Sequence, residues 1–242
     1  QPFFAFAWTD QTHDPYTLEQ GATAVSLLGE GNFPNRESME RYLNAIRQAD
    51  RHLGRLFDAL RLRGLADDTL VVITADHGEA FGDVHDVMGH GGGLFDENLR
   101  VPLMLWNPRL FQSVRRLDKA GGHVDLNPTL AHILGVEPPS DWQGASLFSE
   151  THPGRVYLQA DLSGYQFGVT DGRYKFVADV SGGSERLYEL RQDPLERHDL
   201  SAQRSEVVEE MRARVSAFLR AQESYLNGSA SSTLTAAIDP GT

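Results

Sequence analysis

The order of apolar and polar positions divides the chain into two regimes. Phe3 to Trp8 is an unbroken apolar run that suits a strand buried on both faces of a parallel sheet, and the polar stretch Thr9 to Tyr16 follows it. Between Met39 and Leu62, residues Met39, Tyr42, Leu43, Ile46, Leu53, Leu56, Phe57 and Leu60 recur at steps of three and four, the period of an amphipathic helix, with Gly64 as its C-cap. Asp67-Asp68 then turns the chain into the β-branched run Thr69 to Thr74, which stops abruptly at Ala75-Asp76-His77-Gly78. Val101 to Trp106 is a third short strand, and Asp125 to Leu134 is a helix with Asp125 as N-cap and Gly135 just past its end. Strands alternating with helices predict the α/β class: over residues 1–150, the C-terminal part of a doubly wound, mostly parallel sheet flanked by helices. Ligands gather at the carboxyl ends of the strands in such a sheet.

The pattern changes near Thr151. Val156 to Ala160, Gln166 to Thr170, Tyr174 to Ala178 and Arg186 to Glu189 are short strands separated by Gly and Asp turns, and Glu206 to Tyr225 is an amphipathic helix. Residues 151–226 are therefore predicted to form a small antiparallel sheet plus helix. Residues 227–242 are rich in Ser, Ala, Thr and Gly and read as a disordered tail.

Composition narrows the chemistry. Lys and Arg total 22 against 34 Asp and Glu, a formal charge of -12, so the overall field repels anions and a nucleic-acid partner is not expected. An anionic substrate then needs local positive charge, and a divalent cation is the usual source. The absence of cysteine excludes disulfides, thiolate metal sites and a cysteine nucleophile within these 242 residues. No apolar run approaches the roughly 20 residues that a membrane-spanning helix needs. The chain opens on Gln1 without an initiator Met and passes directly into a strand-like run, the pattern of a segment cut from something longer.

Candidate chemistry lies on the loops. Asp76 and His77 stand where a buried strand hands over to a Gly-containing loop, so both can reach one ion; carboxylate suits calcium, magnesium or manganese, and imidazole also accepts manganese or zinc. The alternative is that Asp76 merely caps the turn. His13, in His13-Asp14-Pro15-Tyr16, should emerge along the same sheet edge, or else be an exposed bystander. His90 opens Gly89-His90-Gly91-Gly92-Gly93, where the missing side chains let backbone approach a ligand closely, although a glycine run is also simply a flexible loop. A parallel sheet would bring all three loops to one side.

Several blocks carry a family resemblance. Asp68 to Glu79, followed by His90, Leu94-Phe95-Asp96-Glu97 and Leu99-Arg100-Val101-Pro102-Leu103, resembles the central block of sulfatases and related phosphodiesterases of the alkaline phosphatase superfamily. Phe3-Phe4 with His13-Asp14-Pro15-Tyr16 resembles that family's strand and H-x-P-Y element. His123-Val124-Asp125-Leu126-Asn127-Pro128-Thr129-Leu130 with Gly144-Ala145-Ser146-Leu147 resembles its D-x-x-P-T-L and G-x-S-L segments. Gly172 to Phe176, Leu187 to Leu190 and Asp193-Pro194-Leu195-Glu196 resemble its C-terminal subdomain.

The resemblance implies an enzyme that hydrolyses sulfate esters with one divalent cation, calcium first and manganese or magnesium as alternatives. Asp76 and His77 would ligate the ion; His13 and His90 would contact the transferred group, and His13 would assist the leaving group, since imidazole titrates near neutral pH. His90 falls one residue off the family's lysine pattern. His123 is either an orienting or a core histidine, while Asp50, His52 and His85 have no chemical partner in the pattern. The family's C/S-x-P-x-R nucleophile motif has no match, so formylglycine, if used, and the N-terminal carboxylate ligands belong to a missing N-terminal half, and the isolated chain should be inactive. His77 suits a sulfatase or a phosphodiester or phosphonate hydrolase or phosphotransferase of the same superfamily, and a non-catalytic sulfatase-like binding module is the remaining reading.

Overall fold

The computed structural model describes residues 2–162 and 164–227, so all of the expected tail except Asn227 lies outside the described residues. The chain separates into two compact units: residues up to Gly89 together with Arg100–Arg115, and His90–Leu99 together with the chain from Arg116 onward.

The first unit is organised by helix α1, Arg36–Leu62. Its predicted apolar face is present, and beside it runs a polar stripe at four-residue spacing that serves as a surrogate strand for the extended segment 19–28. Gln48 Oε1 accepts the Glu19 N–H at 3.2 Å. Asn44 accepts the Val25 N–H at 2.9 Å and donates to the Val25 carbonyl at 2.8 Å. Glu40 accepts the N–H groups of Leu27 and Leu28 and the Ser26 hydroxyl. The Leu27 N–H, joined by these partners, holds the Glu40 carboxyl below the usual carboxylate range. Asn44 and Gln48 are buried, and these bonds meet the requirement that buried amides be paired.

Strand β1, Val71–Thr74, pairs antiparallel with the strand Leu103–Trp106, in register from Val71 opposite Trp106 to Thr74 opposite Leu103. Phe57 of α1 packs on Trp106 with ring centroids 4.6 Å apart. Buried Asn107 closes the unit: its amide donates to the carbonyls of Asp67 (2.9 Å) and Thr69 (3.0 Å), and its oxygen accepts the N–H groups of Arg109 (3.0 Å) and Leu110 (2.7 Å). One side chain thus ties the turn before β1 to the turn after its partner. Strands β2, Ala80–Phe81, and β3, Met88–Gly89, form a short hairpin that the sequence pattern did not reveal.

Tyr16, Tyr42 and Phe81 form an aromatic cluster with centroid separations of 5.2–5.8 Å. Burial pushes the Tyr16 hydroxyl well above the ordinary tyrosine range, and the nearby Glu79 carboxylate adds to this; Tyr42 is raised by the same two causes in the same order.

Two expectations change here. Phe3–Trp8 forms no strand, and Phe3, Phe4, Phe6 and Trp8 are between 68% and 90% exposed, because a strand exists only where a neighbour pairs its backbone and none lies alongside among the described residues. Every strand ladder among the described residues is antiparallel, so the doubly wound parallel sheet is not present in them, although the α/β character is.

The second unit follows the sequence pattern closely. After α2, Asp96–Leu99, the strand already paired with β1 is β4; then come α3, Leu126–Leu134, closed by left-handed Gly135, and strands β5 (Val156–Ala160), β6 (Gln166–Thr170), β7 (Tyr174–Asp179) and β8 (Ser184–Glu189) in an antiparallel meander. Helix α4, Ser205–Leu226, lays Val208, Met211 and Val215 on Val169, Phe176 and Leu187, and Tyr157 stacks on Phe218 at 4.3 Å. Asp125 stands at the expected N-cap position of α3, but its carboxylate makes no capping bond to that helix. It accepts the N–H groups of Gly122 and Ala145 at 2.9 Å each and faces buried His152 at 3.3 Å, closing the turn before the helix. Among the described residues no helix is long and apolar enough to cross a membrane.

Two outcomes follow for the full-length protein. Asn107→Ala should lower stability in urea unfolding by about 1–3 kcal/mol, since it removes a buried amide that serves two carbonyls and two N–H groups; an unchanged midpoint contradicts the stapling role. The folded state keeps the Tyr16 and Tyr42 protons while the unfolded chain releases them near pH ~10. Stability contributed by these groups is therefore complete below that pH and declines as pH rises towards the folded values. Tyr16→Phe should flatten the decline of the urea midpoint between about pH 9 and 11, and an identical slope would refute it.

Candidate functional site

The β1 ladder ends at Thr74, and the residues that follow lie outside the strand. Asp76 is exposed and His77 partly buried. Asp76 Oδ1 accepts the His77 N–H at 3.0 Å, which is the turn-capping role, and Oδ2 faces His77 Nε2 at 3.7 Å. The capping and ligand readings are thus compatible, one oxygen serving each. His77 Nδ1 lies 2.8 Å from the Gly78 carbonyl, an acceptor only. Nδ1 must carry the proton in that bond, so a neutral ring presents its lone pair at Nε2, on the side of Asp76 Oδ2.

Two atoms 3.7 Å apart can both lie within about 2.0–2.5 Å of one ion, so this donor pair fits a divalent cation. Glu79 enlarges it: a carboxylate oxygen of Glu79 and a ring nitrogen of His77 come within 4.8 Å of each other. Sequence reading had placed Glu79 only within the motif. Its spacing of two from His77, just before β2, was the available signal.

His13 sits in a tight turn. Its N–H donates to the Asp10 carbonyl and its own carbonyl accepts from Tyr16, while ring Nδ1 donates to the Asp14 carbonyl at 2.9 Å and the side chain remains exposed. Tyr16 ends the turn in the left-handed region, at φ 58°, and is buried. Its hydroxyl donates to the Glu79 carboxylate. The turn carrying His13 is therefore fastened to the loop carrying Asp76, His77 and Glu79 through one tyrosine, which sequence reading did not single out.

His90 follows β3 directly and is exposed; it is the first residue of the second unit. His123 opens a 3-10 turn, His123–Asp125, and is exposed. Asp50 and His52 lie on the exposed side of α1, His52 facing Glu19 at 3.0 Å, and His85 lies in the β2–β3 loop.

Comparison with known proteins identifies the family. The sulfatase family model matches residues 1–136, and a model for the C-terminal part of N-sulphoglucosamine sulphohydrolase matches residues 93–222. The uncharacterized sulfatase YidJ of Escherichia coli K12 is 30% identical over 239 residues, covering 83% of this chain and 47% of the relative. A delta 4,5-hexuronate-2-O-sulfatase of Bacteroides thetaiotaomicron is 27% identical, covering 79% and 44%. The solved phosphonate monoester hydrolase of Agrobacterium radiobacter aligns with a TM-score of 0.61 at 27% identity, over 76% of this chain and 41% of that one. The chain spans about half the length of the curated relatives it matches. With the family model matching more than half of its residues, the chain belongs to the sulfatase family, whose members hydrolyse sulfuric esters and imply a divalent metal.

Proposed function

We propose that this chain supplies part of the active site of a metal-dependent sulfate ester hydrolase, with Asp76 and His77 as ligands of one divalent cation and His13 and His90 at the transferred group. The observation that carries this reading is the pairing of Asp76 Oδ2 with His77 Nε2 at 3.7 Å while Nδ1 is engaged by the Gly78 carbonyl. Oxygen-rich donors favour calcium, with manganese or magnesium as alternatives. Glu79, steadied by Tyr16, stands next to that pair as a further oxygen donor or an orienting group. The ion, when bound, would supply the positive charge that an anionic ester needs in a chain of net charge -12.

The residues of this chain then divide the work. His13 is exposed and keeps its Nδ1 proton on the Asp14 carbonyl, so the protonated imidazolium can give its Nε2 proton to the departing oxygen and is left as the neutral Nδ1–H ring. His90 meets the oxygens of the transferred group, an electrostatic contribution to an in-line displacement. The nucleophile comes from sequence outside these residues, since no serine here lies in an S-x-P-x-R context. The uncovered Phe3, Phe4, Phe6 and Trp8 support the same view: they form the surface on which the remaining strands of a mostly parallel sheet would build. Residues 1–150 then belong to the catalytic α/β part, and 151–226 to an accessory subdomain. The likeness to a phosphonate monoester hydrolase keeps phosphonate or phosphodiester cleavage as the second reading.

In the full-length protein, Asp76→Ala should abolish both turnover of an aryl sulfate and retention of the divalent ion; full metal content in that variant would overturn the assignment. His13→Ala should slow turnover by roughly 10²–10⁴-fold with the ion still bound. Turnover of an aryl phosphonate but not of the sulfate would favour the second reading.

A further inference from the structure

The most heavily buried charged residue among the described residues is Lys175, on β7. Its side chain is 0% exposed, and its ammonium lies 2.7 Å from Asp96 Oδ1 and 2.7 Å from Glu196 Oε1. The second oxygen of Glu196 accepts the backbone N–H of Asp96 at 2.6 Å. Three separate pieces of the second unit meet here: the first residue of α2, the middle of the sheet, and the loop after β8, where Glu196 itself adopts φ 53°.

Other residues around α2 also pack towards the same sheet. Leu94 is buried, its methyl group 3.4 Å from where a side chain on Gly168 would begin. Phe95 lies under the Arg186 guanidinium at 5.2 Å. Asn98 donates back to the Gly93 carbonyl at 3.2 Å, and Gly93, at φ 130°, sits so close to Gln166 that a Cβ would meet its Oε1 at 3.2 Å. A Cβ on Gly91 would likewise touch Leu162 at 3.4 Å. Of the glycine run, Gly93 is thus packed against β6 and Gly91 against Leu162 just past β5, and the residue they lead back to is His90.

Burying an ammonium between two carboxylates is a poor way to gain stability, because the lost hydration offsets most of the attraction and an apolar filling would serve as well. Direction is what ion pairs add, since the fixed N–H to oxygen geometry sets where α2 starts. We propose that Lys175 is a positioning residue: with Asp96 and Glu196 it clamps segment 90–99 to the four-stranded sheet and so holds His90 in place for the transferred group. This rests on the role given to His90 above, and it gives the accessory sheet a part in the reaction.

The test uses the full-length protein with Lys175→Met and, because that change leaves two carboxylates facing each other, the gentler pair Lys175→Met with Glu196→Gln. Amide hydrogen exchange should accelerate by about tenfold or more across residues 91–98 while helix α4 keeps its protection. Unchanged exchange there, or a rise spread over the whole unit, overturns the clamp. Turnover of an aryl sulfate should fall on the order of 10–100-fold through kcat. The same charge removal in a His90→Ala background should add no more than about twofold, since both changes act through one residue. Losses that multiply show Lys175 acting elsewhere and defeat the proposal. A His90→Ala enzyme with wild-type turnover removes the role of His90 and the coupling together, whereas the exchange pattern reports on the clamp independently of any activity.

Discussion

Everything chemical in this chain depends on where backbone pairing stops. β1 and β4 stay in register from Val71 opposite Trp106 to Thr74 opposite Leu103 and no further, so Asp76 and His77 emerge at a fixed point rather than somewhere along a loop. Asn107 holds the other end by satisfying the carbonyls of Asp67 and Thr69, and Phe57 on Trp106 fixes the helix against the pair. Precision at a metal site comes from such rigid supports, because a ligand pair loses its ion when its rotamers wander.

The second support is aromatic. Tyr16 closes the turn that bears His13, packs on Tyr42 and Phe81, and reaches Glu79 with its hydroxyl. One side chain thereby joins two loops that are over 60 residues apart in sequence. The cost of holding Tyr16 in a left-handed conformation is accepted where the surrounding packing leaves no other choice.

Much of this was legible in the sequence where local pattern decides local structure. Strands β5 to β8 and helices α1, α3 and α4 fell within a few residues of their predicted bounds, because apolar period and Gly or Asp turns specify them without outside help. The expected parallel sheet is different: it does not form among the described residues, because the apolar run Phe3–Trp8 encodes burial but not a pairing neighbour. Asp76, His77 and His13 could be singled out from their loop positions. Tyr16, His152 and the Lys175 cluster could not, as each gains meaning only from a partner far along the chain: Lys175 meets Asp96 across 79 residues and Asp125 meets His152. The helix stripe of Glu40, Asn44 and Gln48 was hidden for the same reason, an ordinary polar face until segment 19–28 lies on it.

The central claim is that Asp76 and His77 hold the catalytic ion. It is tested most directly by anomalous diffraction from crystals of the full-length protein grown with manganese. The account predicts a single strong anomalous peak within about 2.0–2.5 Å of both Asp76 Oδ2 and His77 Nε2. A strong peak coordinated by other residues, with Asp76 and His77 still turned to each other as they are here, would contradict it.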